Sequence, residues 1–167
     1  MATYVLIHGS WHGAWCWYKV IPRLQAQGHT VFAPDLPGLG RNRTLLAAVS
    51  LEAWTNTITA LLDQLNEPVI LVGHSRAGII ISQVAEKRPT KVKTLVYLSA
   101  ALIANGAMWG EVFMTDPTSL IIPHLVVAED QSSVTIQEHA LRDIFYGNCS
   151  EEDVSLAKHL LLPEPTA

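Results

Sequence analysis

A single serine set among small residues is the strongest chemical signal in the chain. Ser75 stands within Gly73-His74-Ser75-Arg76-Ala77-Gly78, after Val69-Ile70-Leu71-Val72 and before Ile79-Ile80-Ile81. The first apolar run has strand character and the second reads as a helix, so the serine falls on a tight strand-to-helix turn. That is the pattern of a nucleophile elbow, which raises a serine Oγ above the C-terminal edge of a parallel sheet. Small neighbours are needed there because strand and helix approach closely. The usual motif is G-x-S-x-G; here Ala77 replaces the last glycine, one methyl group larger, and Gly78 follows. A glycine-containing turn with an incidental serine satisfies the same pattern, and the elbow alone does not separate the two readings.

A serine hydroxyl attacks a carbonyl only when a base takes its proton and a third group orients that base. The order for such an elbow is serine, then acid, then histidine. The histidines after Ser75 are His124, His139 and His159, all in the irregular region beyond Ala100 and without strand-end positions. Asp116 and Asp130 are acids in the same region with no positional support. His8 and His12 precede Ser75. Their i, i+4 spacing would suit a metal pair on a helix, but they lie in a glycine-rich loop with no third ligand nearby, so no metal site is expected. His74 reads as a structural polar group, since an elbow turns adjacent side chains apart. The chemistry requires no cofactor.

Composition narrows the class. The chain has 167 residues, 49% hydrophobic and 16% charged, with a formal net charge of -4. One domain with a real core is expected, not a disordered chain. No basic cluster invites nucleic acid or an anionic membrane. No apolar run reaches transmembrane length, and the N-terminus passes straight into a strand without signal-peptide character. Cys16 and Cys149 lack metal-site spacing and read as reduced thiols of a cytoplasmic protein.

Strands and helices alternate through the first hundred residues. Thr3 to Ile7, His29 to Ala33, Val69 onward and Val92 to Leu98 read as strands, the last as a buried one. Trp15 to Gln27 reads as an amphipathic helix that Pro22 should bend or interrupt, with Gly28 as its cap. Ser50 caps a helix from Leu51 to about Leu65. This alternation argues for a parallel sheet with helices on both faces. From Ala101 the pattern breaks into short segments: Ile122 to Ala128, Val134 to Ile136, a helix near Gln137 to Phe145 and another from Ser150 to Leu161. They suggest a small insertion over the C-terminal edge of the sheet.

Taken together, Leu6-Ile7-His8-Gly9-Ser10-Trp11-His12-Gly13-Ala14-Trp15-Cys16-Trp17, Gly28-His29, Pro34-Asp35-Leu36-Pro37-Gly38 and Gly73-His74-Ser75 resemble the α/β-hydrolase superfamily. Within it they resemble the salicylate-binding and methyl-ketone esterase group, its hydroxynitrile lyase relatives and their bacterial counterparts. Phe145-Tyr146-Gly147-Asn148-Cys149-Ser150 resembles the end of that group's cap. The resemblance implies Ser75 as nucleophile and the backbone N–H groups of Ser10 and Arg76 as oxyanion donors. It implies a substrate pocket beside Gly9, with Trp11 and Trp109 as its aromatic lining. The Arg76 side chain reads as solvated or paired on the surface. Lyases of this group carry threonine at the position of Gly9 and glutamate at that of His74, so both residues here match the esterases.

The implied fold is an α/β-hydrolase-type, mostly parallel sheet with helices on both faces and a small cap, residues 1–100 forming part of the core and 101–167 the cap. The resemblance places the triad's acid and base on strands beyond the cap, so the C-terminal strands of the complete fold are expected to be missing here. The implied activity is hydrolysis of a small carboxylic ester through an acyl-enzyme. A non-catalytic fragment, a ligand-binding relative and a hydroxynitrile lyase-like enzyme remain the alternatives. The strand at Val92 should have one unpaired side, to be covered by a second copy of the chain or by a missing C-terminal segment.

Overall fold

Four parallel strands carry the first half of the molecule. A computed structural model describes residues 1–166, apart from the side chain of Val112. Strands β1 (Thr3–Ile7), β2 (Thr30–Phe32), β3 (Val69–Ser75) and β4 (Val92–Ala100) form one sheet in the order β2-β1-β3-β4. β1 and β3 sit at its centre, with Val5 in register with Leu71 and Ile7 with Gly73. Both are runs of branched apolar residues, as strands covered on two faces require.

The two-residue period of a strand sorts these side chains. Val5, Ile7, Val69 and Leu71 face one core with α2 (Leu51–Asp63) and α3 (Ala77–Lys87). Trp54, Ile58 and Leu62 recur one helical turn apart on α2, and Ile80, Ile81 and Val84 form the matching stripe of α3. Leu6 and Val72 face the other way, against Trp17 and the half-buried Ile21 and Leu24 of α1 (Ile21–Ala26). Ser50 caps α2 as expected, its Oγ accepting the Ala53 N–H at 3.0 Å.

The expected Trp15–Gln27 helix is two pieces. A 3₁₀ turn over Ala14–Trp17 is followed by α1, with Pro22 in its first turn. Proline has no N–H to donate, so it starts a helix here and cannot continue one. β4 departs from expectation in burial, since none of its nine residues is buried, and meets it in having one unpaired side. Among the described strands only β3 pairs with it, so a run apolar enough to be central lies at an edge, with Leu98 at 47% exposure.

Beyond Ala101 the described elements are short. They are α4 (Trp109–Phe113), β5 (Leu125–Val127), β6 (Ser133–Ile136), α5 (Leu141–Phe145), α6 (Glu151–Leu160) and β7 (Glu164–Pro165). β5, β6 and β7 make a second, antiparallel sheet. Ser150 caps α6, accepting the Asp153 N–H at 3.2 Å. β7 has no counterpart in the sequence reading; two residues carry no detectable period.

Candidate active site

Ser75 is the last residue of β3, and α3 begins at Ala77. Its φ is +55°, in the left-handed region that a residue with a Cβ enters only at an energetic cost. The turn is held by its neighbours: Ala101 N–H donates to Ser75 O at 2.9 Å, joining the elbow to the end of β4. The crowding expected at the motif's last glycine falls instead on Gly78. A Cβ there would lie 2.2 Å from Ala101 O, whereas the Ala77 methyl is fully enclosed in the core. An alanine at 77 is therefore compatible with the turn because the glycine at 78 takes the close approach. Arg76 N–H lies at the start of the 11-residue α3, where unpaired backbone donors and the helix dipole favour negative charge.

The loop after β1 packs directly on this turn. A Cβ on Gly9 would stand 2.8 Å from Ser75 Cβ and 3.2 Å from His74 O. Only glycine permits that approach. Ser10 is buried beside it, and Trp11 follows with φ +62°, a second left-handed residue. Two histidines hold the loop from within. Leu36 N–H donates to His8 Nε2 at 3.1 Å, so Nδ1 carries the proton and donates to Gly9 O at 2.9 Å. His12 Nδ1 donates to Ser10 O at 2.7 Å, leaving Nε2 to accept the Tyr146 hydroxyl at 2.6 Å. Burial pushes both imidazoles down to about 4. They are neutral struts. Asp35 secures the exit of the loop, accepting the Ala14 N–H at 2.6 Å.

The Arg76 side chain corrects the sequence reading. It is 6% exposed rather than solvated, and its partner is Glu164, with Nε and Oε1 2.6 Å apart. Nε–H points to Ser10 Oγ at 3.1 Å, and the guanidinium carbon lies 3.7 Å from the centre of the Trp54 ring. Glu164 Oε2 accepts the Trp11 N–H at 2.8 Å. Glu164 was missed because nothing in Leu162-Pro163-Glu164-Pro165 signals burial. The one available hint was an arginine directly after Ser75, in a turn whose positions 73, 77 and 78 are glycine or alanine.

The structure therefore gathers Ser75, Gly9, Ser10, Arg76 and Trp11. Trp11 also lines a cavity of ≈ 170 Å³ with Thr135, Ile136, Leu141, Leu161 and Leu162. Trp109 does not join them: it packs on Phe113, with ring centres 5.5 Å apart, and does not line that cavity. Among the described residues no histidine hydrogen-bonds to Ser75. His124 engages Gln137 at 2.8 Å, and His159 Nδ1 donates to Ser155 O at 2.7 Å. His139 stands against the His124 ring, and His74 is edge-on to Trp17. Burial pushes the Cys16 thiol up to about 12, which keeps it from ionising to a reactive thiolate. Among the described residues no three His, Cys, Asp or Glu side chains gather as a metal ligand set, and no helix is long and apolar enough to cross a membrane.

Comparison with known proteins agrees with this architecture. The sequence profile of the alpha/beta hydrolase family matches residues 4–162. Methylesterase 10 of Arabidopsis thaliana is 36% identical over 172 residues, an overlap covering 96% of this chain and 62% of that protein. Tomato Methylketone Synthase I, solved in complex with 2-tridecanone, superposes with a TM-score of 0.87 at 27% identity, covering 99% of this chain and 68% of that one. Polyneuridine aldehyde esterase gives a TM-score of 0.85 at 25% identity, covering 99% and 69%. The chain thus spans about two thirds of the length of these relatives. A family profile that runs through nearly the whole chain, over a parallel sheet ending in a left-handed serine, leads to one assignment: the chain belongs to the α/β-hydrolase family.

Proposed function

We propose that this chain carries the nucleophile and oxyanion hole of a carboxylic-ester hydrolase acting on a small, rather apolar ester. The observation that supports it most is the contact between Gly9 and Ser75 at a left-handed strand-to-helix turn. In this reading Ser75 Oγ attacks the acyl carbonyl. The Ser10 and Arg76 N–H groups receive the negative charge that develops on its oxygen, where fixed donors lower the barrier most. The alcohol departs with a proton, and water then cleaves the acyl-enzyme. In this reading the proton acceptor for Ser75 lies beyond the described residues, since His124, His139 and His159, the histidines that follow it, each contact another group. Residues 1–100 serve as part of the catalytic core and 101–167 as the cap, with Trp11 facing the acyl group and Trp109 on the cap side. The free edge of β4 is covered by further strands or by a second copy of the chain.

Ester hydrolysis is favoured over cyanohydrin cleavage by Gly9. The lyases that this loop resembles carry threonine there, and the 2.8 Å clearance to Ser75 Cβ leaves no room for one. Among relatives, a methylesterase and an aldehyde esterase are named for esters and a methylketone synthase is not, so the family leaves the substrate open. The reading is tested by treating the protein with a fluorophosphonate, which forms a stable adduct only with an activated serine. Peptide mass mapping should place the adduct on Ser75. An adduct on another residue, with Ser75 unmodified, would remove the nucleophile from this site.

A further inference from the structure

Three costs meet between the elbow and β7, and nothing in the proposed chemistry yet uses them. Trp11 is held at φ +62°, a left-handed conformation that is costly for a residue with a Cβ. Arg76 and Glu164 are both buried. Loss of solvent is the largest influence on each, pushing the carboxyl up and the guanidinium down against their mutual attraction. Arg76 Nη1 and Nη2 are buried without a hydrogen-bond partner. Buried pairs of this kind contribute little net stability and often less than apolar residues of the same volume. A stable core alone does not call for them.

Their geometry fits another role. Arg76 follows Ser75 directly, so its side chain moves with the elbow. Its Nε–H holds Ser10 Oγ at 3.1 Å, and its charge holds Glu164 at 2.6 Å. Glu164 holds the Trp11 N–H at 2.8 Å, while Leu162 N–H donates to Trp11 O at 3.0 Å. The Ser10–Trp11 peptide is thereby fixed to the elbow through two side chains and to the end of the second sheet through β7. Stacking on Trp54, whose Nε1 donates to Pro37 O at 2.9 Å, leaves the guanidinium little freedom to turn away.

We propose that the Arg76 and Glu164 side chains are positioning residues. They lock the loop after β1 to the elbow so that the Ser10 and Arg76 N–H groups stay aimed at one point above Ser75. The proposal rests on the ester-hydrolase reading. It gives the strain at Trp11 a use, since a fixed loop donor spares the transition state the reorganisation that a mobile one would require.

The test is a paired substitution in the full-length protein. Arg76→Met with Glu164→Met removes both charges at similar volume, and stability by chemical denaturation should return close to wild type or above it. kcat on a small activated ester should remain lower by about 10- to 100-fold, the scale set by loss of geometric alignment, with KM changed by no more than about threefold. Affinity for a trifluoromethyl ketone, which mimics the oxyanion, should fall by the same factor. Affinity for the product acid should hold. Glu164→Gln, which keeps the volume and an acceptor for Trp11, should lose kcat by about 10-fold in the same manner, and it decides the matter where the double variant does not fold. Full kcat and analogue affinity in either folded variant would overturn the positioning role and leave the esterase reading intact. Absence of Ser75-dependent turnover in the wild type would overturn both.

Discussion

Gly9 and Ser75 touch so closely that a methyl group on the first would lie 2.8 Å from Cβ of the second. The loop that is proposed to donate to the oxyanion is therefore seated on the proposed nucleophile itself. Gly9→Ala should force the two apart. The expected cost in stability is about 1–3 kcal/mol from overpacking. The expected loss in kcat is about 10²-fold or more, the effect of one misplaced oxyanion donor. Thermal unfolding and steady-state kinetics on the same preparation check both.

The elbow's crowding can be tested separately from its chemistry. Gly78→Ala would place a methyl group 2.2 Å from the Ala101 carbonyl oxygen, a backbone atom that cannot swing aside. Large destabilisation is expected, about 3 kcal/mol or more, as for the severe steric class of substitutions. Ala77→Gly, one residue earlier, removes only an enclosed methyl group and some helix propensity, about 1–2 kcal/mol. Denaturant midpoints of the two variants give the ranking. A milder effect at 78 than at 77 would contradict the close approach of α3 to β4.

Stability should depend on pH through His8 and His12. Both are held neutral by burial at about 4 in the folded chain, against 6.5 for an ordinary histidine. Between those values the unfolded chain binds more protons, so stability is fully present above about pH 6.5 and falls as pH drops toward 4. The slope is at most about 1.4 kcal/mol per pH unit for each histidine. Glu164, whose carboxyl is pushed up by burial, acts in the opposite sense and reduces the total. His12→Gln should flatten the profile measured by denaturant unfolding between pH 6.5 and 4. A wild-type profile that is flat there would show that these histidines are not held neutral.

The central strands were legible because their residues obey one rule at a time. Val69 to Ser75 is apolar, short and followed by small residues, so strand, turn and helix all follow from local pattern. Gly9 was legible through the resemblance, and the structure adds why glycine is required. Arg76 and Glu164 were not legible, because their burial depends on a partner 88 positions away (164 minus 76) and on a strand of two residues. β4 was legible in part: its unpaired side was expected and the sheet order has it at an edge, but its apolar composition suggested a buried strand and none of its residues is buried. The Trp15–Gln27 segment has a helical stripe throughout, but Pro22 decides where the helix starts.

Hydrolysis of a small activated carboxylic ester by the full-length protein and by its Ser75→Ala variant tests the central claim most directly. The account predicts turnover that falls by about 10⁴-fold or more in the variant, as expected when a serine nucleophile is removed from a working triad. Circular dichroism and the unfolding midpoint should stay close to wild type, since the half-buried hydroxyl has no hydrogen-bond partner among the described residues. Equal turnover by the two proteins would contradict the account.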